Sequence, residues 1–414
     1  MSAADGRWPL PAEELLALAA ARRQRFLTDL AELVAIDSGS YSRTGVNRVA
    51  DWTQARLRDA GFRVERHSPS DVHPPLPEGP GGVPDTGDVL VARKRGVLPR
   101  EAGGRRVLLA AHMDTVFDDG TARDRPFTVV GDLAHGPGAC DDKGGLLAGL
   151  TAVELLAAAD HRQYEEIVFL ATPDEEIGSP VSRPVTVATA EGVDYALALE
   201  CARENGDLVV SRKGVADFHV TLTGRAAHAG IEPERGASAA LAAAHLVVDL
   251  QALNDRWDDV SVNVGVIRAG SRTNIVCPEA EVRVEVRSLT SAGLRRAASA
   301  IHETAAATWV PGTTARAVQL DLCPPMEETP QSRVLLSRAR ELGHRLGLEF
   351  GAAVTGGVGD ANLISGAGVP TLDGLGPVGG ADHTPEEWLQ VSSVPPRVAL
   401  LAALIADLGH ARTT

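Results

Sequence analysis

The chain has 414 residues, of which 44% are hydrophobic and 23% are charged, and its formal net charge is −15. This composition is ordinary for a soluble globular protein, and at roughly 100–200 residues per domain the length suggests more than one domain. The acidic balance argues against nucleic acid or an anionic membrane as the main partner, because both require a basic surface.

The cysteines and the apolar segments indicate the compartment. The four cysteines are far apart and form no CxxC pair, so we expect free thiols in a reducing environment. The N-terminal segment lacks the pattern of a signal peptide, and no window of about 18 uncharged apolar residues predicts a membrane span. We therefore expect a cytoplasmic protein without a membrane partner.

The first half of the chain alternates helical and strand-like segments. Three of the strand-like runs are almost continuously apolar, which is typical of strands buried on both faces of a parallel sheet. A segment rich in proline and glycine, residues 69–87, predicts a surface loop. Helices are predicted at 12–35, 45–60 and 144–159, and strands at 62–65, 88–93, 106–111, 167–172 and 195–199.

After about residue 207 the pattern changes. The order β-α-β-β-α-β is typical of a small two-layer α+β unit of the ferredoxin-like kind. α/β character returns with a predicted helix at 332–346 and a strand near 369–373. We predict an α/β domain with a mostly parallel sheet flanked by helices, residues 1–210 and 324–414, interrupted by a smaller domain, residues 211–323. In the smaller domain we predict a strand or hairpin at 207–222, helices at 237–253 and 291–307, and strands at 261–268, 280–287 and 314–321.

Polar side chains follow three of the apolar strands at their carboxyl ends. In open parallel sheets, ligands bind beyond these ends. Imidazole and carboxylate suit Zn²⁺, and one carboxylate can bridge two ions, so the cluster predicts a two-metal hydrolase site. The residues are His112 and Asp114 after the first strand, Glu175 and Glu176 after the second, Glu200 after the third, Asp141 in a glycine-rich turn, and His383 near the C-terminus.

Taken singly, each motif also fits a capped turn or a solvated acidic pair. Together and in this order, they resemble the zinc metallopeptidase family of glutamate carboxypeptidase, acetylornithine deacetylase and succinyl-diaminopimelate desuccinylase, and most closely the glutamate carboxypeptidase branch. The spacings match, with 29 residues from His112 to Asp141 and 183 from Glu200 to His383. The long gap is where that family inserts a lid and dimerisation domain into its catalytic domain.

The resemblance implies a site with two Zn²⁺ per chain, for which Co²⁺ or Mn²⁺ could substitute. Glu175 would be the general base. Asp114 would orient the ring of His112, and the peptide between Asp141 and Asp142 would be cis. The implied ligands are His112 and Glu200 for one ion, Glu176 and His383 for the other, and Asp141 as the bridge.

The resemblance also implies roles for three residues of the lid domain. His228 would cross a homodimer interface and donate a hydrogen bond to the developing oxyanion in the other subunit's site. Asn274 and Arg287 would bind the free carboxylate of the substrate, since an Arg at a strand end can project a planar fork. Arg283 and Glu285 share a face of the same strand, so we expect them to form an ion pair.

Three further residues adjoin the predicted ligands. Cys140 and Cys201 flank Asp141 and Glu200. Successive side chains in extended chain point in opposite directions, so both thiols are expected to face away from the metals, as small buried residues rather than competing ligands. Lys143 is expected to support the turn rather than to act as a catalytic base.

The sequence thus predicts a dizinc hydrolase that cleaves an amide or peptide bond next to a free carboxylate. Its substrate would be a small peptide or an N-acyl amino acid, and no nucleic acid partner is expected. An alternative is an N-acyl-amino-acid deacylase of the acetylornithine deacetylase or desuccinylase type. A second alternative is a metal-free binding or scaffold protein on the same fold, and the presence of every site residue argues against it.

Overall fold

The computed structural model describes residues 10–72 and 85–410. The helices are α1 (Ala12–Val34), α2 (Arg43–Asp59), α3 (Pro69–Val72), α4 (Thr121–Asp124), α5 (Lys143–Ala158), α6 (Arg183–Ala190), α7 (Ala239–Gln251), α8 (Ser291–Ala305), α9 (Pro330–Arg345), α10 (Asp360–Gly366) and α11 (Val394–Leu408). The strands are β1 (Arg63–His67), β2 (Val89–Arg95), β3 (Arg106–His112), β4 (Thr128–Val130), β5 (Leu133–His135), β6 (Glu166–Thr172), β7 (Tyr195–Ala198), β8 (Leu208–Arg212), β9 (Gly214–Thr223), β10 (Val260–Ala269), β11 (Glu279–Ser288), β12 (Thr314–Cys323), β13 (Ala352–Thr355), β14 (Thr371–Leu372), β15 (Gly379–Gly380) and β16 (Trp388–Gln390).

The elements predicted from periodicity are present, with ends shifted by a few residues. Of the predicted loop 69–87, residues 69–72 form the short helix α3, and residues 73–84 lie outside the described part. The predicted segment 207–222 is two strands of different sheets and not a hairpin. Strand β8 is buried along its whole length and pairs with β13, whereas β9 alternates buried and partly exposed residues and joins the sheet of the smaller unit.

The chain divides into two compact units, of which the second comprises Ser211–Glu327 with Thr355–Val358. The first contains a six-stranded sheet in the order β1-β2-β6-β3-β7-β14. Strand β3 is parallel to β6 and β7, and β14 is parallel to β7, while β2 is antiparallel to β6 and to β1. The sheet is therefore mostly parallel, and the strands that precede the predicted site end at one edge.

The register of this sheet aligns the residues of the site. His112 pairs with Thr172 of β6, and Ala110 pairs with Ala198 of β7. The residues that follow β6 and β7 consequently emerge beside His112. Two helices with apolar residues on almost every side, α5 and α11, fill the core below and pack against each other and against α1.

Helix α11 was not predicted, because a helix that is apolar all round has no polar face to reveal its period. The window Val391–Leu408 is long and apolar enough to cross a membrane, yet 83% of it is buried inside the protein. Burial of this kind is typical of the core helix of a globular domain.

The second unit has the order β9-α7-β10-β11-α8-β12, and its antiparallel sheet has the strand order β10-β11-β9-β12. This is the ferredoxin-like arrangement predicted for the inserted domain. Alternate residues of β9, such as Phe218 and Val220, are buried with Val282 and Val284 of β11 and with residues of both helices. The sheet thus has one face in a core of its own.

Candidate metal centre

Asp141 lies at the centre of a cluster of carboxylates and imidazoles. Its Oδ1 is 2.9 Å from Nε2 of His112, and its Oδ2 is 3.2 Å from Nε2 of His383. The two oxygens of one carboxylate therefore face two different imidazoles. This is the arrangement that a carboxylate shared between two metal sites requires.

Two glutamates extend the two halves of the cluster. Glu176 Oε2 is 3.0 Å from Nε2 of His383, and Glu200 Oε1 is 3.7 Å from Nε2 of His112. Asp142 also lies beside His112 and Glu200, with one ligand atom of each within 4.8 Å of the others. The structure thus brings together the predicted ligands His112, Asp141, Glu176, Glu200 and His383, and the peptide between Asp141 and Asp142 is cis as expected.

The electrostatics of the cluster favour bound positive charge. Burial, and then the charges of neighbours such as Glu200 and Glu176, raise the pKa of Glu175 well above its usual value. Hydrogen bonds with Asp141 and Glu176 raise the pKa of His383 to about 11. Both shifts show that the surroundings of the cluster favour an added positive charge beside its carboxylates. Imidazole and carboxylate donors in such a setting fit two divalent metal ions.

Asp114 connects the ends of β3 and β6. Its buried carboxylate accepts hydrogen bonds from the backbone N–H groups of Glu175 and Glu176, both at 3.2 Å, and from Ser40 Oγ at 2.6 Å. Its backbone carbonyl lies 3.0 Å from Nδ1 of His112, and its Oδ1 lies 3.4 Å from the same nitrogen. A proton on Nδ1 directed at these oxygens leaves Nε2 free to bind a metal.

Glu387 supports the turn that carries Asp141, and the sequence did not reveal it. Its buried carboxylate accepts hydrogen bonds from the backbone N–H groups of Cys140 at 2.7 Å, Asp141 at 3.0 Å and Gly138 at 3.0 Å. Burial raises the pKa of Glu387 to about 7. In the sequence it stands beside Glu386, which is exposed, and nothing local distinguishes the two.

Lys143 occupies the start of α5, directly after this turn. Its buried Nζ donates a hydrogen bond to the backbone carbonyl of Ile36 at 2.8 Å, and burial lowers the pKa of Lys143 to about 8. The side chain therefore ties the turn to the end of α1, which is the supporting role expected of it.

In the second unit, His228 and Asn274 lie on neighbouring extended segments. The N–H of Ala229 donates to the carbonyl of Asn274 at 3.0 Å, and His228 forms an antiparallel bridge with Ile275. Nδ1 of His228 accepts a hydrogen bond from the N–H of Gly230 at 3.1 Å. A neutral ring that accepts through Nδ1 carries its proton on Nε2, so the exposed His228 is a hydrogen-bond donor to its surroundings.

Arg287 lies near the opposite end of β11. The expected pair between Arg283 and Glu285 is wrong, because Glu285 binds both Nε and Nη2 of Arg287, at 2.7 and 3.0 Å. Asp217 lies opposite Glu285 in β9 and adds a second negative charge beside Arg287. This explains why Glu285 pairs with Arg287 and not with Arg283. Nη1 of Arg287 donates to the carbonyl of Gly356 at 2.7 Å.

Replacing Glu387 by Gln removes one acceptor from a carboxylate that accepts three backbone hydrogen bonds. We expect the affinity of the chain for its metal ions to fall by ~10–100-fold, because supporting contacts of this kind orient a ligand. Isothermal titration with Zn²⁺ measures the change. Glu386→Gln is the matched control, and equal affinities of the two variants would contradict a supporting role for Glu387.

Comparison with known proteins agrees with this geometry. The model of peptidase family M20/M25/M40 matches residues 108–407. Carboxypeptidase G2 of Pseudomonas sp. (strain RS-16) is 31% identical over 386 residues, which cover 92% of this chain and 88% of that protein. Acetylornithine deacetylase of Proteus mirabilis (strain HI4320) is 27% identical over 383 residues, which cover 87% of this chain and 89% of that protein.

The fold is also that of a solved peptidase. The crystal structure of aminopeptidase PepT from Bacillus cereus ATCC 10987 superposes with a TM-score of 0.72 at 23% identity, and covers 93% of this chain and 98% of that one. The family match spans more than half of the chain, and its residues 108–407 include every predicted ligand. This chain therefore belongs to peptidase family M20/M25/M40, whose peptidases and deacetylases are metal-dependent hydrolases.

Proposed function

We propose that this protein is a dizinc hydrolase that cleaves an amide or peptide bond next to a free carboxylate, with a preference like that of a glutamate carboxypeptidase. The observation that carries the proposal is the Asp141 carboxylate, whose two oxygens face His112 and His383. The similarity to carboxypeptidase G2 along most of the chain supports the choice of substrate class.

The five predicted ligands divide into two sets around the Asp141 carboxylate. When bound, two Zn²⁺ ions would supply positive charge that polarises a scissile carbonyl and lowers the pKa of water from 15.7 towards ~7. Co²⁺ and Mn²⁺ accept the same donor types and are the substitutes to test. The residues that would hold the ions are His112 and Glu200 on one side, Glu176 and His383 on the other, and Asp141 between them.

Glu175 is the residue that would move the proton. It follows β6 directly before Glu176, and Asp114 holds the backbone of both. Burial raises the pKa of Glu175 and so makes its carboxylate a stronger base. A base of this kind can take a proton from the attacking water and later return it to the leaving amine.

The lid residues support a homodimeric site. Asn274 and Arg287 flank opposite ends of the strand β11, whose rise places them more than roughly 25 Å apart in one chain. A single small substrate cannot contact both in the same subunit. We propose that His228 and Asn274 of one subunit complete the site of the other, where His228 donates to the oxyanion and Asn274 shares the carboxylate with Arg287.

Arg287 would grip the substrate carboxylate through its planar guanidinium. Its Nε and Nη2 already hold Glu285, so the fork is oriented before a substrate arrives. On binding, the substrate carboxylate would either share the guanidinium with Glu285 or take the place of Glu285 on it. The same arrangement would hold a small peptide or an N-acyl amino acid, since both present a free carboxylate beside the scissile bond.

A deacylase that releases an amino acid from its N-acetyl or N-succinyl form is the second candidate. The similarity to acetylornithine deacetylase favours it. We place the protein in the cytoplasm in either case, which is supported by the absence of a disulfide between any of the four cysteines that the structure describes.

A substrate panel with measured metal content separates the candidates. We expect the highest kcat/KM with peptides and acyl conjugates that end in Glu or Asp, and about two zinc ions per chain. Faster hydrolysis of N-acetylornithine or N-succinyl-diaminopimelate would favour the deacylase. If the chain binds no metal and cleaves none of these substrates, the result would favour a metal-free binding or scaffold protein.

Glu175→Gln should lower kcat by at least ~100-fold while about two zinc ions per chain remain bound, because it removes a base and not a ligand. Elemental analysis beside steady-state kinetics makes the measurement. Asp141→Ala is the comparison variant and should lose metal. Comparable loss of metal in both variants would show that Glu175 is a ligand.

His228→Ala and Glu175→Ala should each be inactive as homodimers. Dissociated, mixed and reassembled, they should regain part of the activity, because one of the two sites in a heterodimer would contain both native residues. Activity after mixing, with heterodimers quantified by differential tagging, tests this. Heterodimers that form without activity, or a fully active monomer, would rule out a site built from two subunits.

Arg287→Lys keeps the charge and loses the fork, so kcat/KM for free-acid substrates should fall at least ~10-fold, equivalent to about 1.4 kcal/mol. A substrate with an amidated carboxylate should already be poor and should change little. Arg283→Lys, on the same face of β11, is the control and should resemble the native chain. Equal losses on acid and amide would assign Arg287 to the stability of the lid.

A further inference from the structure

A second cluster of metal-binding atoms lies beside the candidate metal centre in the first unit. Sγ of Cys140 is 3.5 Å from Oδ1 of Asp382, and Sγ of Cys201 is 3.7 Å from the same oxygen. One ligand atom from each of the three residues lies within 4.8 Å of the others. Each residue is the chain neighbour of a proposed zinc ligand, in the pairs Cys140–Asp141, Glu200–Cys201 and Asp382–His383.

The two sulfur–oxygen distances are those of a tetrahedral site. With Zn–S bonds of about 2.3 Å and Zn–O bonds of about 2.1 Å, tetrahedral angles place sulfur and oxygen about 3.6 Å apart. The two observed sulfur–oxygen distances are 3.5 and 3.7 Å. Each sulfur is therefore placed to share a cation with this oxygen.

We propose that Cys140, Cys201 and Asp382 form a mononuclear site for a thiophilic divalent cation, Zn²⁺ or Cd²⁺, separate from the dinuclear centre. Thiolate sulfur selects such cations over Mg²⁺ or Ca²⁺. Binding replaces the proton of each thiol by a metal–sulfur bond, and the two protons leave to the solvent. Both cysteines are buried, and Asp382 is partly exposed, so solvent reaches the site from the side of Asp382.

A cleft of about 460 Å³ provides the route of entry. It is lined by Asp382, Gly379, Gly380, Arg203 and Glu204, among others. A Cβ atom at Gly379 would overlap the sulfur of Cys140, so the glycine leaves room for that donor. At Gly380 a Cβ atom would lie 2.8 Å from Oε1 of Glu204, which places another carboxylate near the opening. That carboxylate or a water could complete four ligands.

The charges around the cluster suit a divalent cation. Two thiolates and one carboxylate around such an ion leave one net negative charge. The guanidinium of Arg203, with Nη2 at 3.9 Å from the sulfur of Cys201, lies where it offsets this charge. The residue also donates to the carbonyl of Cys201 at 3.4 Å, so its position is set by the backbone and does not depend on the sulfur.

The site would be coupled to the dinuclear centre through the chain. Asp141, Glu200 and His383 belong to one cluster, and the residue next to each belongs to the other. A cation held by the thiols would therefore constrain the three backbone segments that position these ligands. A ligand's orientation depends on such supporting contacts.

Titration with Cd²⁺ of the native protein loaded with only two Zn²⁺ per chain, enough for the dinuclear centre, tests the proposal. Thiolate–cadmium bonds produce an ultraviolet charge-transfer band, whereas the imidazole and carboxylate donors of the dinuclear centre do not. We expect the band to saturate at one equivalent of Cd²⁺ per chain, with dialysis and elemental analysis giving the same stoichiometry. This readout requires no substrate, so its outcome is independent of the proposed hydrolytic activity.

Cys140→Ser and Cys201→Ser should each abolish the band that saturates at one equivalent of Cd²⁺. Asp382→Asn should bind Cd²⁺ at least ~10-fold more weakly. Cys277→Ser is the matched control and should bind like the native chain, since its sulfur contacts the carbonyl of Glu279 elsewhere. Should one variant fail to fold, either of the others decides the question. A band that survives in both cysteine variants, or a native protein with reduced thiols and no band, would overturn the proposal.

Discussion

The sharing of one carboxylate between two imidazoles is the interaction on which the rest of the site depends. Asp141 can face both His112 and His383 only if the turn before α5 is held in place. Glu387 holds it by three backbone hydrogen bonds, and Lys143 ties the start of the helix to the end of α1. The geometry of the predicted ligands thus depends on buried polar groups that are not themselves predicted ligands.

The cost of gathering carboxylates is offset by hydrogen bonds from backbone and hydroxyl groups. Asp114 takes two backbone N–H groups and the hydroxyl of Ser40, and so joins the ends of two strands. Burial raises the pKa of Glu175, and hydrogen bonds with Asp141 and Glu176 raise the pKa of the imidazole of His383. Burial thus increases the basicity of the candidate base, while the carboxylates around His383 favour bound positive charge.

The second unit places the residues proposed to act in the site at two separate positions. The extended ladder between β9 and β11 places His228 and Asn274 at one end of the sheet and Arg287 near the other. The proposed site, which two subunits would complete together, requires such a division. It also shows why Arg287 is oriented by Glu285 and Asp217, since an unpaired guanidinium at a strand end would lose its direction.

The sequence by itself determined the α/β order, the ferredoxin-like insertion and the positions of the ligands, because apolar strands that end in polar residues are local patterns. It left α11 unseen, since a helix buried on all sides has no period. Only the tertiary structure decided that Glu387 supports Asp141, that Glu285 pairs with Arg287, and that Cys140, Cys201 and Asp382 meet. Contacts between residues far apart in the chain depend on packing, which no local pattern records. The same holds where a side chain such as Glu285 has two arginines at equal spacing on one strand and pairs with only one of them.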